Sequence, residues 1–482
     1  MMIKEASLRN VVLGAGGLVM RILEYALALF ISYLVLGLFV LLFKRPVLDR
    51  LVDKFAKRLM VDPYPENLTE MFNVFSRVGV GNVLETDIRG TSGQPLKRPF
   101  GAARRPSPWE QLMFNPVYFT KEPLEQEIKI SQQVTIGKRA AKPLTIDLPI
   151  MVGGMAYGIG LSKKCRLALA EATSKLNTAT NAGVGPLLPE ERRKAKKLIL
   201  QYHRGTWGKD EATLRQADMI EIQLGYGALG SAPVHLLPSE ISPEFRSYMD
   251  LEADEGLALA ARLPEALNGT ALANLVRRLR RMTDGVPIGV KLGATHLLEE
   301  ELEIILRANL DFIAIDGSEA GINYGPGILV DDFGLPTLPA LCRTVEFLKR
   351  KGLTEKVSLI ISGGLFTPGD FLKALALGAD AVYIGTSALL ALAHTQLTKT
   401  IPWEPPTNLV FEIGPAKDRL AQKVGARSVY NYLRSCQLEM ELALRTLGKS
   451  SLTELSKADL CALTPEVALM TGVENGVLPR PF

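Results

Sequence analysis

The sequence predicts an α/β protein built on a (β/α)8 TIM barrel, with an N-terminal transmembrane helix, an irregular N-terminal cap and a C-terminal helical segment. Three observations carry that prediction. An uncharged apolar run of nineteen residues lies near the N-terminus, and eight short β-rich runs alternate with helical stretches through the middle of the chain. Nearly all of those eight runs stop on glycine or a small polar residue.

Composition sets the limits. With 482 residues, 47% of them hydrophobic and 22% charged, the chain can bury a large core. Its four cysteines (Cys165, Cys342, Cys436, Cys461) are scattered without a CxxC pair, which argues against a disulfide framework, a zinc ribbon or an iron–sulfur run. The four histidines stand at no metal-ligand spacing, so no metal is expected. A net charge of +5 without an aromatic-interleaved basic stripe excludes nucleic acid as the expected partner.

The first element is the apolar run Tyr25 to Phe43, "YALALFISYLVLGLFVLLF". As a helix rising about 1.5 Å per residue, it nearly spans a hydrocarbon core of about 30 Å. Lys44, Arg45, Arg50, Lys54, Lys57 and Arg58 follow it closely, against Lys4, Arg9 and Arg21 before it, so the positive-inside bias predicts a single-pass cell-membrane protein with its bulk in the cytoplasm. "GAGGLV" at Gly14–Val19 lacks the third glycine and the βαβ context of a dinucleotide fingerprint. The expected divisions are an anchor with its basic flank over 1–60, a Pro- and Arg-rich cap over 61–145, the barrel over 146–400 and the helical segment over 401–482.

Within the barrel the candidate strands are Pro149–Gly154, Thr178–Gly183, Leu198–His203, Met219–Gly225, Ile288–Ala294, Phe312–Gly317, Ser358–Gly364 and Ala381–Ser387. Chemistry is expected at their C-terminal ends, where glycine allows a ligand close to the backbone. The last two strands end on Gly363, Gly364 and Gly385, where barrels often place a phosphate site. Between them "TPGD" predicts a helix with Thr367 as N-cap, Pro368 at its first position and Asp370 closing a capping box.

This passage, together with "IGVKLGA" and "GGMAYG", resembles the FMN-binding domain of the glutamate synthase family, and in particular its stand-alone, membrane-anchored members. The likeness covers about residues 70–480. It implies FMN, with Gly154, Met155 and Ala156 lining the flavin ring, Gln201 and Lys291 at its polar edge, and Ser362, Gly363, Gly364, Gly385 and Thr386 around the phosphate. A cation at that edge would stabilise the anionic reduced ring. A lone strand lysine serves equally well as an ion-pair partner.

The departures bear on substrate. "TNAGVGP" (Thr180–Pro186) carries Val184 where the family has an acid, "LGYGALGSAP" has Tyr226 near a family lysine, and "AGIN" (Ala320–Asn323) replaces a GGTG run. "LALAHTQLTKTIPW" lacks the cysteines of a three-iron cluster, so no iron–sulfur cluster is expected. Inosine monophosphate dehydrogenase shares the two-glycine phosphate site but needs a cysteine nucleophile after the sixth strand, and "DGSEAGINYGP" has none.

The resemblance thus implies a membrane-anchored FMN-dependent oxidoreductase. Its family reaction is reductive amination of 2-oxoglutarate to glutamate. Candidate substrate-side residues are Asn181, Tyr226, Glu319 and Asn323. Expected partners are a small-molecule substrate, the lipid bilayer and an electron-donor protein. The alternative is a flavin-binding electron-relay subunit of a membrane complex.

Overall fold

The computed structural model describes residues 2–60, 80, 97–98, 106–321, 325–394, 396 and 407–479. The chain divides into two compact units, Met1–Leu96 and Lys97–Phe482. The cap expected over 61–145 is therefore described mainly from residue 106 onward, and Asn323 lies outside the described residues.

In the first unit a single helix, α1 (Met2–Met60), contains the apolar run. Leu23–Lys54 is the one stretch among the described residues long and apolar enough to cross a membrane, a statement resting on length and composition. Its large side chains, including Leu27, Phe30, Tyr33 and Phe39, are exposed along that stretch.

The second unit holds a closed barrel of eight parallel strands: β1 (Ile150–Val152), β2 (Thr180–Asn181), β3 (Leu198–Tyr202), β4 (Met219–Gln223), β5 (Ile288–Gly293), β6 (Phe312–Asp316), β7 (Ser358–Ser362) and β8 (Ala381–Ile384). Each expected strand is present, one to four residues shorter than its run, because the terminal glycines and polar residues belong to the turns. Neighbours in sequence are neighbours in the barrel, and β8 closes onto β1 through Tyr383 opposite Met151.

Strand alternation explains where the polarity goes. On β6, Ile313 and Ile315 face the outer helices while Phe312 and Ala314 face inward, which puts Asp316 inward at the C-terminal rim. On β4, Ile220 and Ile222 face outward and Met219 inward, so Glu221 and Gln223 continue the inner row. The interior is thus apolar at the bottom and polar at the top. The hairpin of Val134–Ile136 with Leu144–Ile146 seals the bottom, burying Ile136, Leu144 and Ile146 against Met151, Met219 and Phe312.

Four further helices matter to the site. Helix α2 (Lys163–Lys175) follows β1, α3 (Pro368–Ala376) links β7 to β8, α4 (Thr386–His394) follows β8, and α5 (Gln422–Thr446) packs against all three. The start of α3 is as expected, with Thr367 Oγ1 accepting from Asp370 N at 3.1 Å and Asp370 Oδ2 accepting from Thr367 N at 3.0 Å. The C-terminal segment also reaches the start of the unit, since Leu460–Ala462 pairs antiparallel with Leu112–Phe114.

Candidate active site

A cavity of about 350 Å³ opens at the C-terminal ends of the strands. One end of it is backbone. Gly363 and Gly364 have φ values of +124° and +66°, conformations that a side chain would strain, and a Cβ on Gly363 would lie 2.4 Å from Thr337 Oγ1. A Cβ on Gly385 would instead enter the cavity, with Met155 Sδ at 3.9 Å as its nearest neighbour. Among the described residues, the N–H groups of Gly363, Gly364 and Gly385 donate to nothing. Helix α4 begins at Thr386, bringing its N-terminus to the same wall. Bare donors beside a helix N-terminus form an anion site.

The opposite end is a network of buried side chains fixed by register. Gln201 and Glu221 are direct partners across β3 and β4, and Gln201 Nε2 donates to Glu221 Oε1 at 2.7 Å. Asn181 Nδ2 donates to the same oxygen at 2.9 Å, while Asn181 Oδ1 accepts from Gly183 N at 2.9 Å. A carboxylate only accepts, so the Gln201 amide must turn its NH2 group to Glu221 and keep its carbonyl oxygen for a ligand. Lys291 Nζ lies 3.2 Å from Asp316 Oδ2 and 5.4 Å from the centroid of the Tyr383 ring. Asp316 Oδ2 also accepts from Gly227 N at 3.0 Å, and Asp316 Oδ1 is buried without a hydrogen-bond partner among the described residues.

These contacts set the protonation states. Burial works against charge on Lys291, but the carboxylates of Asp316 and Glu221 more than offset it and hold its pKa above the usual lysine value. Burial lifts the Tyr226 phenol, against the pull of Arg204 and Lys291, and lifts the Tyr383 phenol well above its ordinary value. Both phenols are protonated at neutral pH. His203, nearly fully buried and accepting from Gly205 N at 3.1 Å, is driven down to about 3 and stays neutral.

The sequence-derived residues fall out as follows. Gly154, Met155, Ala156, Gln201, Lys291, Ser362, Gly363, Gly364, Gly385 and Thr386 all line the cavity, as do Tyr226 and Val184. Lys291 lines the cavity and forms an ion pair. Asn181 is fully buried and does not line the cavity, so it acts on the site through Glu221. Glu319 lines the wall, yet its carboxylate does not point at a ligand. It accepts from Ser107 N (3.2 Å), Thr337 N (2.8 Å), Thr337 Oγ1 (2.7 Å) and Ser318 Oγ (3.3 Å), clamping residue 107 to the β6 loop.

Sequence reasoning missed Glu221, Asp316, Tyr383 and Phe411. The first three could have been found by continuing the inward alternation of β4, β6 and β8 past their apolar residues. Phe411, which closes the wall through a bridge with Leu161, carries no local signal.

The model of the conserved region in glutamate synthase matches residues 106–450, well over half the chain and every residue of this cavity. The chain belongs to the glutamate synthase family.

Two similar sequences agree with that membership. A glutamate synthase large subunit-like protein of Rhizobium meliloti is 31% identical over 80% of this chain and 89% of its own length. An archaeal-type glutamate synthase (NADPH) of Dehalococcoides mccartyi is 27% identical over 80% of this chain and 78% of its own. Among solved structures, a mutant flavocytochrome b2 with pyruvate bound aligns with 77% of this chain and 80% of its own at 16% identity and a TM-score of 0.48. This chain is accordingly a glutamate synthase-like oxidoreductase.

Proposed function

We propose that this glutamate synthase-like chain is an FMN-dependent oxidoreductase anchored to the membrane by α1. The observation carrying the cofactor is the row of N–H groups at Gly363, Gly364 and Gly385 beside the start of α4, a cradle that a single Cβ at Gly385 would fill. These residues, with Ser362 and Thr386, would hold the phosphate. Gly154, Met155 and Ala156 would line the ring, and Gln201 and Lys291 would contact its polar edge. FMN bound there supplies two-electron transfer at its ring.

The protein's own groups supply orientation and electrostatics. Glu221 fixes the amide of Gln201, and Asp316 fixes the ammonium of Lys291, so both are set before a ligand arrives. Tyr226 offers a neutral O–H donor on the cavity wall. The basic residues after the apolar run support an orientation with the barrel on the cytoplasmic side.

The relatives' names carry glutamate synthesis to this chain as its default reaction, and an electron-donor protein would then reduce the flavin. The second reading, an electron-relay subunit, is favoured by the ion pair that already engages Lys291. The test is the full-length chain in detergent, titrated with FMN and followed by flavin fluorescence. Quenching to an end point of one FMN per chain is expected, and no quenching would sink the proposal. Glutamate formed from 2-oxoglutarate, ammonia and dithionite supports the first reading, and its absence from flavin-loaded protein supports the second.

A further inference from the structure

The glycine end of the cavity rests on a clamp built around Glu319. Its buried carboxylate accepts from Ser107 N (3.2 Å), ahead of the barrel, and from Thr337 N (2.8 Å) and Oγ1 (2.7 Å), at the first residue of the helix Thr337–Arg350. Ser107 Oγ in turn accepts from the next helix amide, Leu338 N, at 3.0 Å. Two N–H groups at the start of that helix are therefore occupied by Glu319 and Ser107, and its positive end offsets the carboxylate charge.

Gly363 and Gly364 are seated directly on this clamp. A Cβ on Gly364 would lie 3.0 Å from Glu319 Cβ and 3.3 Å from its Cγ, and a Cβ on Gly363 would lie 2.4 Å from Thr337 Oγ1 and 3.0 Å from Ala320 N. The carbonyl of Ser362, just before them, accepts from Gly317 N at 2.9 Å and stands 3.5 Å from Thr337 Oγ1. Atoms of Glu319, Ala320 and Thr337 thus fill the space where side chains on the two glycines would otherwise point. A peptide plane tilts only as far as the atoms packed on it allow, and its N–H group tilts with it.

We propose that Glu319 is a positioning residue for the phosphate: by joining Ser107 to Thr337 it fixes the floor on which Gly363 and Gly364 aim their N–H groups. Its carboxylate is turned to the donors of the clamp and acts on the anion through Thr337 and the packing of the two glycines. This inference rests on the FMN reading, and it makes Ser107, ahead of the first barrel strand, part of what holds the flavin.

FMN and riboflavin share one ring and differ in the phosphate, so the ratio of their affinities isolates this end of the cavity. Each is titrated into the full-length protein in detergent and followed by flavin fluorescence. Wild type should prefer FMN at least about a hundredfold, as two charge-assisted hydrogen bonds to the phosphate require. Glu319→Ala should weaken FMN about tenfold, the equivalent of one such bond, and leave riboflavin unchanged. Thr337→Val, which removes one hydroxyl donor and keeps the branched shape, should lower the ratio by a smaller factor, and Thr337→Ser should keep the wild-type ratio. This second pair decides the matter if Glu319→Ala does not fold. A wild-type ratio in the folded variants, or FMN and riboflavin weakened in parallel, overturns the positioning role alone. A wild type that binds FMN no better than riboflavin overturns the phosphate reading and the positioning role together.

Discussion

At one end of the cavity Gly363, Gly364 and Gly385 present N–H groups on bare backbone, while at the other Gln201, Glu221, Lys291 and Asp316 present buried side chains locked to one another. On the flavin reading, the first end would bind through the absence of side chains and fail when one is added. The second would bind through a balance of charge and hydrogen bonding and fail when one member is removed. An anion can be held by dipoles without any counter-ion, whereas a buried ammonium needs carboxylates beside it.

Substitutions can break that contrast. Gly385→Val should have the largest effect on flavin. Its Cβ would enter the cradle with Met155 Sδ at 3.9 Å as its nearest neighbour, and losing two charge-assisted hydrogen bonds of about 1.5–3 kcal/mol each would weaken FMN binding at least about a hundredfold. Circular dichroism and the melting temperature should stay near wild type. Equal flavin content in the variant would remove the phosphate assignment.

Lys291→Met attacks the other end and should act on the fold as well. It leaves Asp316 buried without its counter-ion, at a cost of about 3–5 kcal/mol in denaturant unfolding. A variant as stable as wild type would show that solvent already reaches this end. Glu221→Gln is gentler. Its side-chain oxygen can still accept from Gln201 and Asn181, but its NH2 group is buried where Glu221 Oε2 has no partner among the described residues, with an expected loss of about 1–3 kcal/mol and a shifted flavin absorbance spectrum. An unchanged spectrum would mean that Gln201 does not contact the ring.

A smaller effect should come from the bottom of the barrel, far from both ends. Burial pushes the Asp380 carboxyl up to about 6, although its Oδ2 accepts from Leu359 N at 2.8 Å. The folded state therefore holds this proton more tightly than the unfolded chain. Its contribution to stability is full below the ordinary aspartate value of about 3.9 and is lost as pH rises through about 6. Asp380→Asn should flatten the pH dependence of the melting temperature over that window, and an identical dependence in the variant would reject this account.

The contrast also marks how far the sequence can be read. The barrel was legible because each strand is a short apolar run with a polar or glycine stop, and the start of α3 was legible because Thr367, Pro368 and Asp370 act within one turn. The phosphate end was legible for the same reason: its glycines are local. The polar end was only half legible. The family resemblance pointed to Gln201 and Lys291, but their partners Glu221 and Asp316 sit on neighbouring strands, and register alone makes them meet. Glu319 looked substrate-facing until its hydrogen bond from Ser107, 212 positions earlier, was visible. No periodicity encodes a contact of that range.

The central claim is that bare backbone at the ends of β7 and β8 holds the phosphate of a flavin, and one measurement addresses it most directly. Full-length wild type and Gly385→Val are purified in detergent with FMN present and then freed of excess. The chromophore released by acid is identified by mass spectrometry and counted per chain. Close to one FMN per wild-type chain and close to none in a folded variant is the expected result. A wild type without flavin, or a folded variant that retains it in full, would contradict the account.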